Sequence, residues 1–121
     1  KGSVIENILF GVEGKNRKDV SILLEKFGLT DYMERLPNGL DTQISQNGVG
    51  ISGGQAQIIA FIRAVIKNKD ILILDEATAN LDQDTCRKIM SILCNYKLCR
   101  MLFVISHQKL DEKVFNKIIQ F

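Results

Sequence analysis

The stretch DILILDEATANLD, residues 70–82, runs four consecutive apolar residues into two adjacent carboxylates and closes on a third. Ile71, Leu72, Ile73 and Leu74 show no polar alternation, so they read as a strand buried on both faces, the pattern of a parallel sheet. Such a strand delivers Asp75 and Glu76 to the C-terminal edge of its sheet, where open α/β folds bind ligands. Strand ends are polar in most proteins whether or not anything binds there. The two acids and Asp82 therefore acquire a role only through what the rest of the chain places beside them.

Downstream, Ile89, Ile92 and Leu93 fall on one helical face of a segment starting near Asp84. Residues 101–105, MLFVI, are a second continuous apolar run, again ending on polar residues, Ser106 and His107. Strand, helix and strand in that order predict a parallel βαβ unit. A turn of helix at 109–113 and a closing strand at 114–121 complete this half.

Upstream, Ser52 and Gln55 stand at capping-box spacing before a helix carrying Ile58, Ile59, Phe61, Ile62, Val65 and Ile66. Apolar residues on nearly all its sides predict a buried helix. Residues 45–50, rich in turn formers, lead into it. The first third reads as a helical layer. Ser3 and Glu6 open a short helix that ends near Gly11. Asn16, with Asp19 in the first turn, caps a second helix with a stripe of Val20, Leu23, Leu24 and Phe27, stopped by Gly28. A third helix at 31–35 ends before Leu36-Pro37, and residues 40–44 predict a brief strand.

A chain of 121 residues, 45% hydrophobic and 25% charged, fits one soluble globular domain. Its formal net charge of +2, without a basic run, gives no footprint for nucleic acid. No apolar run reaches the ~18 residues of a membrane span, and the residues after Lys1 do not form a signal peptide. Cys86, Cys94 and Cys99 form no CxxC pair, and an odd count fits a reduced chain better than a disulfide framework.

If the two apolar strands are adjacent, Asp75, Glu76 and His107 share one sheet edge. An Asp there can hold a hydrated Mg²⁺, a Glu can orient or deprotonate a water, and a His can hydrogen-bond a phosphate oxygen. That is the equipment of phosphoryl transfer to water. Ser52, Gly53 and Gly54 at a helix start supply exposed N–H groups and the positive end of a helix dipole, which suit a phosphate. A reading from another class also fits the spacing. Residues 50–54, GISGG, match G-x-S-x-G, with an acid and a histidine following in the order of an α/β-hydrolase that would use Ser52 as nucleophile. That elbow needs a buried strand directly before the serine, where the sequence has a loop.

ISGGQ at residues 51–55, the apolar helix containing Arg63-Ala64, ILILDEATANLD, and the apolar strand ending in Ser106-His107 together resemble the ATP-binding-cassette (ABC) ATPases. The first motif is similar to the family signature LSGGQ, the second to its Walker B strand, catalytic glutamate and D-loop, the third to its switch histidine. GSVIENILFG and LPNGLDTQI resemble the helical subdomain of exporter-type members. The resemblance implies an α/β fold, a partial P-loop NTPase (RecA-like) parallel-sheet core with an α-helical subdomain. Residues 1–68 would form the subdomain with the signature helix, and residues 69–121 the Walker B half of the core. It further implies that Asp75 helps hold Mg²⁺, Glu76 polarises the hydrolytic water and His107 contacts the γ-phosphate. Ser52, Gly53, Gly54 and Gln55 would bind the γ-phosphate of ATP held by a second nucleotide-binding domain, and Asp82 would lie in the loop crossing to it. Expected partners are that second domain and the transmembrane domains of a transporter at the cytoplasmic face of a membrane.

The departures are specific. No GxxxxGK[ST] loop is present: Gly14-Lys15 is the only Gly-Lys pair, Gly11 precedes it by three residues, and Asn16 replaces Ser or Thr. Ala56 and Ile58 stand where basic residues are common after the signature, and Gln46 where exporters often carry Glu. The expectation is the C-terminal part of a nucleotide-binding domain, beginning just after the Q-loop and inactive without the phosphate loop. A non-transport ABC ATPase is the alternative within the family, which the exporter-like upstream segments disfavour.

Overall fold

The first two helices of the N-terminal layer begin on the caps their sequence supplies. In this computed structural model, which describes residues 2–47, 50–95, 98–110 and 112–119, a two-residue strand β1 (Gly2–Ser3) runs directly into α1 (Val4–Leu9). Ser3 Oγ accepts from the Glu6 N–H at 3.3 Å, and the Glu6 carboxylate accepts from the Ser3 N–H at 2.7 Å. The Ser3 N–H first, and the Ser3 hydroxyl donating to the same carboxylate at 3.0 Å, hold the Glu6 carboxyl below its usual range. Asn16 and Asp19 repeat the arrangement at α2 (Arg17–Lys26), where Asn16 Oδ1 accepts from Lys18 N–H at 2.8 Å. Caps of this kind stabilise a helix by about 1 kcal/mol each. Gly28, at φ +68°, turns the chain out of α2 so that the Leu29 N–H can reach the Leu24 carbonyl at 2.7 Å, a conformation that costs glycine little.

After α3 (Thr30–Glu34) the chain makes a 3₁₀ turn, Gly39–Asp41, and a short strand β2 (Gln43–Ile44). The brief strand expected at 40–44 is thus reduced to its last two residues. It pairs antiparallel with β1, Gly2 opposite Ile44, and goes no further because β1 becomes helix at Val4.

The signature helix α4 (Gly53–Ile66) is the spine of the molecule. Phe61 meets Phe27 of the α2 end edge-on, with ring centroids 4.9 Å apart at 88°, a favoured aromatic geometry. Val4, Ile8, Val20, Leu24, Ile58 and Ile62 are buried around it, and the same apolar cluster continues to Leu72, Leu74, Leu81, Ile89 and Leu93. Helical layer and sheet therefore share one core.

The sheet consists of β3 (Ile71–Asp75) and β4 (Met101–Ile105), parallel, joined through α5 (Gln83–Asn95). Their register runs from Ile71 opposite Met101 to Asp75 opposite Ile105. Two sequence expectations need correction. The strands are not buried on both faces: Leu72 and Leu74 are covered, whereas Ile73 is 62% and Phe103 51% exposed. Leu72 and Leu74 join the cluster shared with α4 and α5, and no described element covers the opposite face. The closing strand at 114–121 is not formed over its described part. Glu112–Val114 is a 3₁₀ turn, the chain beyond it to residue 119 pairs with neither strand, and Phe115 instead packs against the core; Gln120 and Phe121 lie outside the described residues. The turn of helix expected at 109–113 is displaced to this 3₁₀ turn, and Asp111 is outside the described residues.

The one-sided burial of β3 separates neighbouring residues by energetic role. Urea unfolding of this chain is expected to show a loss of about 2–5 kcal/mol for Leu74→Ala and less than about 1 kcal/mol for Ile73→Lys. Equal losses at the two positions would mean that both faces are buried.

Candidate functional site

Where β3 ends, the backbone turns sharply. Glu76 sits at φ +50°, the left-handed region, which costs a non-glycine residue about 1–2 kcal/mol and persists only where its surroundings enforce it. Three contacts do so. The Glu76 N–H donates to the Ile105 carbonyl at 2.9 Å, extending the β3–β4 ladder by one bond. Glu76 Oε1 accepts from the His107 N–H at 3.0 Å and lies 3.5 Å from His107 Nε2. The third contact comes from behind: Gln57 of α4 donates its Nε2–H to the Glu76 carbonyl at 3.0 Å.

The same Gln57 side chain accepts, through Oε1, from the Asn80 N–H at 2.8 Å. One amide thus closes both ends of the turn that carries the catalytic candidate. The turn rests on the start of α4, and the glycines there make the approach possible. A Cβ at Gly54 would stand 3.1 Å from the Asn80 carbonyl oxygen, and one at Gly53 3.1 Å from Asn80 Nδ2, closer than a side chain normally comes without displacing its neighbour.

Asp75, Glu76 and His107 are brought to one sheet edge, as the adjacency of the two strands requires. Glu76 is one-third exposed and the His107 ring almost fully so, at side-chain values of 32% and 95%. Asp75 is exposed and its carboxylate has no hydrogen-bond partner among the described residues. A lone free carboxylate beside open space suits an ion that keeps most of its water, as Mg²⁺ does, and does not suit one needing several protein ligands. No cluster of three or more metal-ligating side chains occurs among the described residues.

At the α4 start, Ser52 Oγ accepts from Gln55 N–H at 3.1 Å and Gln55 Oε1 accepts from Ser52 N–H at 2.8 Å. Ser52 and Gly53 are exposed, and the N–H groups of Gly53 and Gly54 have no acceptor among the described residues, which leaves the helix end open to an anion. Asp82 is placed differently. Its carboxylate caps α5, accepting from Thr85 N–H at 2.9 Å, from Thr85 Oγ1–H at 2.7 Å and from the Tyr32 hydroxyl at 2.6 Å. The Thr85 hydroxyl first, and Tyr32 after it, hold this carboxyl well below the usual carboxylate range.

A serine nucleophile at residue 52 has no support. The chain enters Ser52 through the bend residues Gly50 and Ile51 rather than a strand, its hydroxyl is occupied as a cap, and His107 is engaged with Glu76. Gln57 and Tyr32 escape a reading of the sequence. Gln57 carries one usable signal, a long polar amide amid an otherwise apolar helix face; Tyr32 carries none. Gln57→Leu in this chain leaves the Glu76 carbonyl and Asn80 N–H without their partner, and urea unfolding is expected to show a loss of about 1–3 kcal/mol. A loss within error of zero would contradict the clamp.

The sequence and the fold have parallels among known proteins. Residues 2–79 match the family model for the ABC transporter. The chain is 41% identical over 106 residues to ABC transporter B family member 15 of Arabidopsis thaliana, covering 88% of this chain and 8% of that protein. It is 41% identical over 107 residues to the ATP-dependent lipid A-core flippase of Pseudomonas fluorescens, covering 88% of this chain and 18% of that protein. A solved structure of a bacterial Atm1-family ABC exporter with ATP bound superposes with a TM-score of 0.78 at 34% identity, covering 88% of this chain and 19% of that one. The chain spans less than a fifth of the relatives named here, and no helix among its described residues is long and apolar enough to cross a membrane. With residues 2–79 matching that family's model, the chain belongs to the ABC transporter family, on a P-loop NTPase fold whose parallel sheet is represented among the described residues by β3 and β4.

Proposed function

We propose that this chain supplies the hydrolytic half of one ATP site, and the phosphate-facing signature of another, in the ATPase of an ABC exporter. The observation that carries the reading is the Glu76 carboxylate held by the His107 N–H at 3.0 Å on the edge where Asp75 also emerges. Glu76 orients the attacking water and takes its proton as the water oxygen bonds the γ-phosphorus and the bond from that phosphorus to the β–γ bridging oxygen breaks, with ADP as the leaving group. The exposed His107 ring, 3.5 Å from that carboxylate, turns a nitrogen to the γ-phosphate oxygens. Asp75 would hold Mg²⁺, which would supply charge neutralisation on the phosphates.

The N–H groups of Gly53 and Gly54, with Ser52 and Gln55, face the γ-phosphate of ATP on a second nucleotide-binding domain, and the loop ending at Asp82 borders that partner. Residues 1–68 act as the helical subdomain and 69–121 as part of the catalytic core. The open sheet face bearing Ile73 and Phe103 is where the remainder of such a core would pack. The assembly works with transmembrane domains at the cytoplasmic face of a membrane. The chain alone lacks a GxxxxGK[ST] phosphate loop and does not hydrolyse ATP by itself.

A chimera tests this. With the matching segment of the Pseudomonas fluorescens flippase replaced by this chain, ATP hydrolysis is expected, and Glu76→Gln should lower kcat by about a hundredfold or more. The amide oxygen introduced by that substitution can still accept the His107 N–H, so the change removes basicity and spares the fold. A chimera that binds ATP but hydrolyses it equally with and without Glu76→Gln would overturn the assignment.

A further inference from the structure

Tyr32 joins the two functional segments by bonds at both ends of one residue. Its carbonyl accepts from Gln55 Nε2–H at 3.0 Å, and its hydroxyl donates to Asp82 Oδ1 at 2.6 Å. Gln55 is the residue whose other amide atom caps α4, accepting from Ser52 N–H at 2.8 Å. Asp82 in turn receives the N–H and hydroxyl of Thr85 at 2.9 and 2.7 Å, which seat the first turn of α5. An unbroken line of hydrogen bonds therefore runs from the start of α4, through α3, to the end of the loop that begins at Glu76.

We infer that Tyr32 is a positioning residue, coupling the state of the Ser52–Gln55 helix start to the placement of Asp82 and its loop. The inference rests on the reading that Ser52 and Gln55 meet a phosphate. When Gln55 turns its amide toward that phosphate, the Tyr32 carbonyl loses its donor, and the change is passed to Asp82 through the hydroxyl at the other end of the same residue. Arg35 stands over the Tyr32 ring, 5.7 Å from its centroid, and holds the ring's orientation, so the hydroxyl stays aimed when α3 moves. Phenylalanine would keep this packing and lose only the hydroxyl's bonds, chiefly the one to Asp82.

Two measurements test the inference. In the chimera, Tyr32→Phe is expected to lower kcat about fivefold with KM for ATP unchanged, and to have no further effect once Asp82 is replaced by Ala. In this chain, whose two tyrosines are Tyr32 and Tyr96, a Tyr96→Phe background isolates the Tyr32 phenol. Its titration, raised above 10.0 chiefly by the bond to Asp82, should fall back toward that value in Asp82→Asn. A phenol that titrates ordinarily in both backgrounds overturns the inference. So does hydrolysis that Tyr32→Phe leaves unchanged, or kcat losses for Tyr32→Phe and Asp82→Ala that multiply, in a chimera that still depends on Glu76. A shifted titration in this chain, together with a chimera whose hydrolysis does not depend on Glu76, instead removes the ATPase reading and, with it, the coupling.

Discussion

The side-chain amide of Gln57 holds together the turn that carries Glu76, the proposed water activator. It spans from the Glu76 carbonyl to the Asn80 N–H at 3.0 and 2.8 Å, and so ties a strained strand-end turn to the helix that starts at the Ser52 cap. Without such a tie, a residue at φ +50° would relax toward an ordinary conformation and carry its carboxylate away from His107. The strain is sustained by neighbours that are rigid for other reasons: α4 is the spine of the core, and the β3–β4 ladder fixes Ile105. A clamp anchored in two stiff elements presets a carboxylate, and presetting lowers the reorganisation needed when charge develops.

The glycines at the start of α4 serve the same end. They are usually read as open backbone for a phosphate, and N–H groups without an acceptor among the described residues allow that. On their other side they let the Asn80 segment sit against the helix at a distance a side chain would prevent. The Glu76 turn and the start of α4 are therefore two faces of one joint, and Tyr32 adds a second link between them through α3 and Asp82.

Much of this is legible in the residues themselves, for identifiable reasons. The caps at Ser3, Asn16 and Ser52 are local, three-residue devices, so their spacing announces them. The apolar runs at 71–74 and 101–105 are contiguous, and a helix between them leaves parallel pairing as the economical arrangement. From that pairing the meeting of Glu76 and His107 at one edge follows. What cannot be read is long-range or one-sided. Periodicity does not reveal how many faces of a strand are covered within a given chain, so the exposure of Ile73 and Phe103 is invisible in it. The strand expected at 114–121 fails over its described part because apolar residues alone do not provide a neighbour to pair with; Phe115 turns into the core instead. Tyr32 and Asp82 are fifty residues apart, and nothing local in either marks the other as its partner.

The central claim is that the Glu76 turn is clamped, with its carboxylate already held at the sheet edge, before any nucleotide arrives. Amide hydrogen exchange in this chain tests it at the two N–H groups that define the clamp, Asn80 and His107. The account expects both to exchange about a hundredfold or more below their unprotected rates, although both lie in irregular, solvent-facing segments. Exchange of both at the rate of a free loop amide would show that the turn is not held, and the account would fall with it.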